Sequence, residues 1–435
     1  MPASTTAAIG KPLRAPIAST ALRNLIWLSG DKVVSVVLGL VVFGLIARQY
    51  GPGGAGQFSY GVAMLQTALG LSLICSGAAV MPRLCRLHNG AAAMAVGNVF
   101  VVRLIGSVLA AAVMAGYTAL AVDDPLRRTV ALILLSTVPL LEPFRAFANF
   151  WVSRNQNRTP VLARGSGLVA RLVVVVVALW AGAAPWVVAL AWLVEALVSA
   201  ALQTFGMRGV LQWHRLAAAV RTPRARLYFR FGVRFAAGLW LSHLFLRLDR
   251  LWLAEQMDAH AFGLYATAMQ LVAVWLQAAA VLTGSLAPAY LYRALRESSS
   301  VRNHWRTLAM LAGVGLAGLA GAVLLGPLLL RVVFGAAFAS SQPYLVAGFA
   351  AAVLFYIDQF VQISITANNR PWLLALKWGT ASAVALATLA LATPHIGAYS
   401  GPLGLALGLI ASWIAVAVGA RWAKAADTDA VMFSD

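Results

Sequence analysis

Residues 24–49 read NLIWLSGDKVVSVVLGLVVFGLIARQ, and after Tyr50 the chain continues GPGGAG over residues 51–56. As a helix the first stretch spans ~39 Å, enough to cross the ~30 Å hydrocarbon core of a bilayer. Only Asp31, Lys32 and Arg48 are charged within it. It lacks the period of two that marks a strand, and the Gly-Pro-Gly-Gly that follows ends it. Working along the chain, the same reading gives spans at 24–49, 57–82, 92–121, 128–152, 161–183, 187–207, 228–254, 263–291, 306–333, 343–367, 372–393 and 402–422. Asp123-Asp124-Pro125 closes the third and Asn155-Gln156-Asn157 follows the fourth.

Composition agrees. Hydrophobic residues make up 61% of the 435 residues, and mean hydropathy is +0.82. Charged residues make up only 11%, against about 25% in soluble domains. Such a chain cannot build a water-facing surface. In lipid every backbone polar group must be satisfied within a helix or a closed barrel. The expected fold is therefore all-α integral membrane, with about twelve transmembrane helices.

The net charge of +20 raises nucleic acid as a partner. We exclude it, because the basic residues alternate with the loops instead of gathering on one soluble surface. With the N-terminus in the cytoplasm, the inner segments hold twenty Lys and Arg, six of them at Arg208, Arg215, Arg221, Arg224, Arg226 and Arg230. The outer loops hold Arg127, Arg128 and Arg331. This asymmetry orients the protein with both termini cytoplasmic. Trp27, Trp151, Trp305, Trp372 and Trp422 fall at inner span ends and Trp180, Trp186 and Trp252 at outer ends, as an aromatic belt requires. Residues 1–23 are polar, so no cleavable signal peptide is expected and the first span is read as the targeting signal. Cys75 and Cys85, separated by ~15 Å of helix, are too far apart for a disulfide.

The chain repeats itself. Ala47, Gln49, Gly56 and Phe58 match Ala254, Gln256, Gly263 and Tyr265 at an offset of 207, and Asn157-Arg158 before Pro160 matches Asn369-Arg370 before Pro371. Both matches pair equivalent junctions, spans 1–2 with 7–8 and 4–5 with 10–11. The expected organisation is a cytoplasmic segment 1–23, an N-lobe 24–207, a basic cytoplasmic linker 208–227, a C-lobe 228–422 and a tail 423–435. Six spans is an even number, so the two lobes run parallel, related by a pseudo-two-fold along the membrane normal around a central cavity. The linker mixes Leu211, Trp213, Leu216 and Val220 with arginines, which suits either an interfacial helix on anionic lipid or a solvated loop. The outer loops are short, which argues against an enzyme acting on the outer face.

Ten basic residues lie within or at the edges of spans: Lys32, Arg48, Arg103, Arg145, Arg164, Arg171, Arg234, Arg247, Arg250 and Lys377. Five acidic residues share that zone: Asp31, Glu142, Glu195, Asp249 and Asp358. A charge at mid-span costs about 2.5–3.5 kcal/mol on the insertion scale, so these residues face an interior or one another. Glu142 and Arg145 are spaced as a helical ion pair. Arg48, Arg164 and Arg234, and Arg247 and Arg250 beside Asp249, are expected to snorkel from span ends. The excess of cations sits in the cytoplasmic half and suits an anion entering from that side; arginine's planar fork suits phosphate oxygens. Lys32, Arg103, Arg171, Lys377 and Arg145 are the candidate anion site, and Asp31, Glu195, Asp249 and Asp358 are candidate ion or proton sites. The rival for the deep charges is internal salt bridging, including Asp31 with Lys32. The same charge balance argues against a cation-drug exporter. No phosphate-binding glycine loop is present, and His88, His214, His243, His260, His304 and His395 lack metal-ligand spacing, so no cofactor, metal or catalytic residue is expected.

Ala47-Arg48-Gln49-Tyr50-Gly51-Pro52 with Gly56-Gln57-Phe58-Ser59-Tyr60 resembles the first helix–turn–helix of polysaccharide flippases. Those are the O-antigen and exopolysaccharide repeat-unit exporters of the multidrug/oligosaccharidyl-lipid/polysaccharide superfamily. Leu248-Asp249-Arg250-Leu251-Trp252-Leu253-Ala254 with Gly263-Leu264-Tyr265-Ala266 resembles their seventh-to-eighth junction, and Phe334-Gly335 and Asn368-Asn369-Arg370 are similar too. The sequence departs at Gly53, where that family often has an acid, and at Ala55, where it often has an aromatic. The resemblance implies a two-lobed carrier of a bacterial inner membrane. Its implied cargo is an oligosaccharide on a polyprenyl pyrophosphate, moved from inner to outer leaflet by alternating access, amid membrane lipid and alongside glycosyltransferases and a polysaccharide polymerase. A drug or small-solute exporter of the same superfamily, a membrane enzyme of polysaccharide assembly and a non-transporting scaffold are the competing readings.

Overall fold

Gly51 takes φ 64°, a left-handed backbone that glycine adopts without a Cβ clash, and it breaks the helix Pro16–Leu71 in two. The computed structural model describes residues 16–75, 77–211, 223–296, 301–367 and 371–432, and every element among them is helical. Among the described residues nine stretches are long and apolar enough to cross a membrane. Two of them, Gly30–Leu71 and Trp372–Arg421, contain 42 and 50 residues. At 1.5 Å per residue these would be ~63 and ~75 Å, twice a bilayer core. Each is two spans: Gly51 divides the first, and the 3₁₀ turn Gly397–Tyr399 divides the second into Pro371–Ile396 and Ser400–Met432. Span 7 adds a further crossing as Pro223–Phe245 followed by Leu248–Gln256. The result is twelve.

In order the remaining spans are Asn89–Ala121 (span 3), the fourth in three pieces, Arg158–Trp180 (span 5), Pro185–Gly206 (span 6), Ala259–Arg296 (span 8), Val301–Val333 (span 9) and Gln342–Ala367 (span 10). The fourth comprises Pro125–Leu135, Val138–Leu141 and Arg145–Ser153. Pro139 and Pro143 cause those interruptions, since neither can donate to the helical ladder. Asp124 caps this span, accepting from the backbone N–H of Leu126 and Arg127 at 2.8 and 3.1 Å.

The odd-numbered turns gather at one face. Tyr50 donates to the Ala183 carbonyl at 2.5 Å, Gln57 to Asp124 at 3.2 Å, and Phe43 stands edge-on to Phe334. The Tyr344 ring meets Tyr399. At the opposite, basic face, Leu84, Val96, Phe150, Met207 and Leu211 share one cluster, and Arg154 donates to the Leu87 carbonyl at 2.6 Å. The alternation read from the sequence is therefore the geometry of the bundle.

Packing repeats between the halves. Spans 5 and 6 pair, as do 11 and 12; span 1 packs on 5 as 7 packs on 11; span 2 packs on 4 as 8 packs on 10. At the odd-turn face the lobes meet reciprocally: Gly56 lies against Ala259 and Gly263, and Gly263 lies against Pro52. Positions 52 and 56 correspond to 259 and 263 at the offset of 207, so the contact is isologous, as a pseudo-two-fold demands. Large apolar side chains on the outside, Leu120 and Leu324 among them, are lipid contacts in such a protein. Trp180, 90% exposed, lies at the odd-turn end of its span.

Several local expectations change. The second helix stops at Leu71 and resumes as Gly77–Leu84, so Cys75 and Cys85 are not joined by continuous helix. The last helix runs to Met432, past the expected end at 422. Residues 212–222, most of the proposed linker, lie outside the described residues, as does the Arg234 side chain.

Candidate functional site

The interruption of span 4 places Glu142 between two guanidinium groups. Glu142 is fully buried, 3.2 Å from Arg103 of span 3 and 3.0 Å from Arg145. Arg103 also donates from Nε at 2.9 Å, and from Nη2, to the Cys75 carbonyl, which lies beyond the end of the second helix. Gly106 lets span 3 approach this turn, since a Cβ there would meet Ile74 at 2.8 Å. Arg145 is 53% exposed at its side chain. Nearby, Asp31 of span 1 binds Arg164 of span 5 at 3.1 Å. Lys32 is exposed and lies in electrostatic range of Arg164, Asp31 and Arg145. Four cations and two carboxylates thus meet in the basic half of the N-lobe.

The other deep charges form separate pairs. Arg171 holds Glu195 at 2.7 Å across spans 5 and 6 and lies 4.9 Å from the Trp192 ring centre. In the C-lobe Lys377 donates to Asp358 at 2.7 Å and Gln362 at 3.0 Å, with both ion partners fully buried. The Trp413 indole donates to the second Asp358 oxygen at 2.9 Å. Asp249 accepts from the Tyr265 hydroxyl at 2.6 Å and stands 3.9 Å from Arg250.

The five candidate anion ligands are therefore not brought to one place. Lys32, Arg145 and Arg103 share a neighbourhood, joined by Arg164, which sequence reasoning left to snorkel. Arg171 and Lys377 each hold a carboxylate. All four candidate acids touch a partner: Asp31 touches Arg164 and not Lys32, while Glu195, Asp249 and Asp358 pair as above. Among the described residues no group of three His, Cys, Asp or Glu could hold a metal ion. The snorkelling expectation is corrected for two others. Arg250 is 6% exposed. Arg247 donates to Gln66 at 2.8 Å across the lobes. Arg48 is exposed at its span end and also reaches the Val332 and Val333 carbonyls at the end of span 9.

Arg127 was read as an outer-loop charge. It is 8% exposed, donates to the Ala254 carbonyl at 2.6 Å, lies 3.8 Å from Glu255 and sits over the Tyr60 ring. With Arg48 it ties the lobes together at the odd-turn face. No spacing in the sequence marks either role, because the partners lie 127 and 284 or more positions away.

The family model described as polysaccharide biosynthesis protein matches residues 59–343. No curated protein sequence matches the chain. Among solved structures, the lipid II flippase MurJ in an inward closed conformation is similar at TM-score 0.66, with 11% identity over 92% of this chain and 87% of that one. An inward-facing multidrug resistance MATE family transporter of the MOP superfamily is similar at 0.59, with 15% identity over 93% and 99%. A MOP superfamily transporter from Pyrococcus furiosus is similar at 0.58, with 14% identity over 95% and 97%. These likenesses agree with the twelve-helix, two-lobed architecture.

Proposed function

This chain belongs to the polysaccharide biosynthesis protein family, and we propose that it is a flippase carrying a polyprenyl-pyrophosphate-linked oligosaccharide from the inner to the outer leaflet of the bacterial inner membrane. The basic face is then cytoplasmic. The observation that carries the reading is the N-lobe cluster. Lys32, Arg103, Arg145 and Arg164 outnumber Asp31 and Glu142, and Lys32, Arg145 and Arg164 are the exposed members.

A pyrophosphate reaching this cluster meets Lys32 and Arg145 directly. Arg164 is half available, since Asp31 occupies one of its nitrogens at 3.1 Å. Arg103 acts as a positioning residue, holding Glu142 so that Glu142 in turn fixes Arg145. Arg171 and Lys377 order the lobes through their own carboxylates. Outward movement of the anion follows an inside-negative potential, which supplies ~2.3 kcal/mol per charge per 100 mV. The glycosyltransferases that build the oligosaccharide and the polymerase that consumes it are the partners this function requires.

The test is polymer export by a deletion strain carrying single variants, with membrane abundance measured alongside. A charge-assisted contact contributes roughly 1.5–3 kcal/mol. Lys32→Ala and Arg145→Ala should therefore each lower export about tenfold or more at unchanged abundance. Normal export from both variants refutes the anion-site reading.

A further inference from the structure

Spans 3 and 7 leave a cleft of about 210 Å³ between the lobes at the odd-turn face. Tyr117, near the end of Asn89–Ala121, lines it from the N-lobe. Leu248, Leu251, Trp252, Glu255 and Gln256 line it from the C-lobe. Its polar groups are open to an occupant. Tyr117 is 50% exposed, the Glu255 side chain is 33% exposed, and Gln256 is exposed. Neither the Tyr117 hydroxyl nor the Gln256 carboxamide makes a hydrogen bond among the described residues. Trp252 is half-buried with its indole N–H buried, so the side-chain surface it offers is apolar.

Anchoring at the membrane interface accounts for the two rings, but not for a carboxylate and a carboxamide set beside them in one concavity. Charge narrows the choice of occupant. Arg127 lies 3.8 Å from Glu255, and the two formal charges offset each other. A phosphate would meet the carboxylate, and an ammonium ion would compete with Arg127. A polyprenyl chain would take water from Glu255 and Gln256 and give neither a hydrogen bond. A sugar ring suits both kinds of surface. Its faces carry C–H bonds that lie against aromatic carbon. Its rim of hydroxyls donates to carboxylate and carboxamide oxygens and accepts from a phenol. Apolar walls with a few placed polar groups are the usual make-up of a small-ligand site. One water needs ~10–15 Å³ by this measure of volume, so the cleft has room for about one or two such rings.

We propose that this cleft is a carbohydrate subsite, taking sugar rings of the cargo's glycan at the face opposite the cationic cluster. As a step of export it rests on the flippase reading, but its sugar binding is measured separately. The test uses the full chain purified in a detergent without a sugar head group. The probe is the repeat-unit oligosaccharide hydrolysed from the source strain's own polysaccharide, with no lipid or phosphate attached. Saturation-transfer NMR should show its ring C–H protons in contact with the protein. Tyr117→Ala and Gln256→Ala, both at exposed positions, should each weaken binding at least about fivefold. Lys32→Ala and Arg145→Ala should bind the sugar as the unsubstituted protein does. No saturation transfer, or equal binding by Tyr117→Ala and Gln256→Ala, overturns the proposal. Lost export from Lys32→Ala and Arg145→Ala with no sugar signal keeps the flippase and removes this subsite. A sugar signal that Tyr117→Ala weakens, with normal export from Lys32→Ala and Arg145→Ala, keeps the subsite and removes the anion-site reading.

Discussion

Lys377 and Asp358 show how a charge is tolerated at depth in this protein. Both are fully buried, and Gln362 and the Trp413 indole use further hydrogen-bonding capacity of the pair. Such a pair adds little net stability over apolar side chains, yet removing one partner strands the other and costs about 3–5 kcal/mol. Asp358→Asn alone should therefore markedly lower the thermal midpoint of the purified protein. Lys377→Met combined with Asp358→Asn should recover most of the loss, since Asn can still accept from Trp413. The double variant also separates packing from transport: it should export normally if the pair only orders the C-lobe. A stable double variant that fails to export would instead assign Asp358 to ion or proton handling. The pairing itself could not be read locally, because Lys377 follows Asp358 by 19 positions on a different helix. Arg171 and Glu195 likewise face each other across 24 positions.

At the level of helices, the reciprocal contact between the two matched junctions carries the most weight. Gly56 meets Ala259 and Gly263, and Gly263 meets the Pro52 backbone so closely that a Cβ has no room. Backbone, not a flexible side chain, is the obstacle, so neither helix can yield cheaply. Gly263→Ala should force the lobes apart at the odd-turn face. Gly313, with nothing within 4 Å of its Cβ position, is the matched control, and Gly313→Ala should be silent. Cysteine labelling of the 1–2 turn in intact cells should report the difference as increased accessibility in Gly263→Ala. Unchanged labelling would mean that the glycine seam does not hold that face closed. The glycines were visible in the sequence as an offset repeat. Their contact was not, because a repeat states equivalence and not adjacency.

For the whole molecule, the twelve crossings and the gathering of odd turns at one face agree with the expected alternation of spans, and the arginines lead us to propose which face is cytoplasmic. Reporter fusions at Ala91, Arg215 and Ser299 should read cytoplasmic, and fusions at Gly54, Pro125 and His260 should read external. An external reading at Arg215 would break the assignment, since five further arginines flank that position. Flipping of a negative cargo should also slow when the potential is collapsed in proteoliposomes. A rate indifferent to potential would place the driving force elsewhere.

The twelve spans, their order and the repeat were legible because each depends on local quantities: hydropathy over a bilayer's length, a breaker at each end, and arginines held on one side. Breaks at Gly51, Pro139 and Pro143 belong to the same class, although only the first was read as one. The pairing of charges is of another kind. Asp31 meets Arg164 over 133 positions, Arg127 meets Ala254 over 127, and Glu142 serves Arg103 and Arg145 at once. Which cation stays exposed and which is neutralised follows from how helices rotate and how the lobes dock. Those are global packing outcomes, settled by burial over the entire bundle, and no single stretch of the chain encodes them.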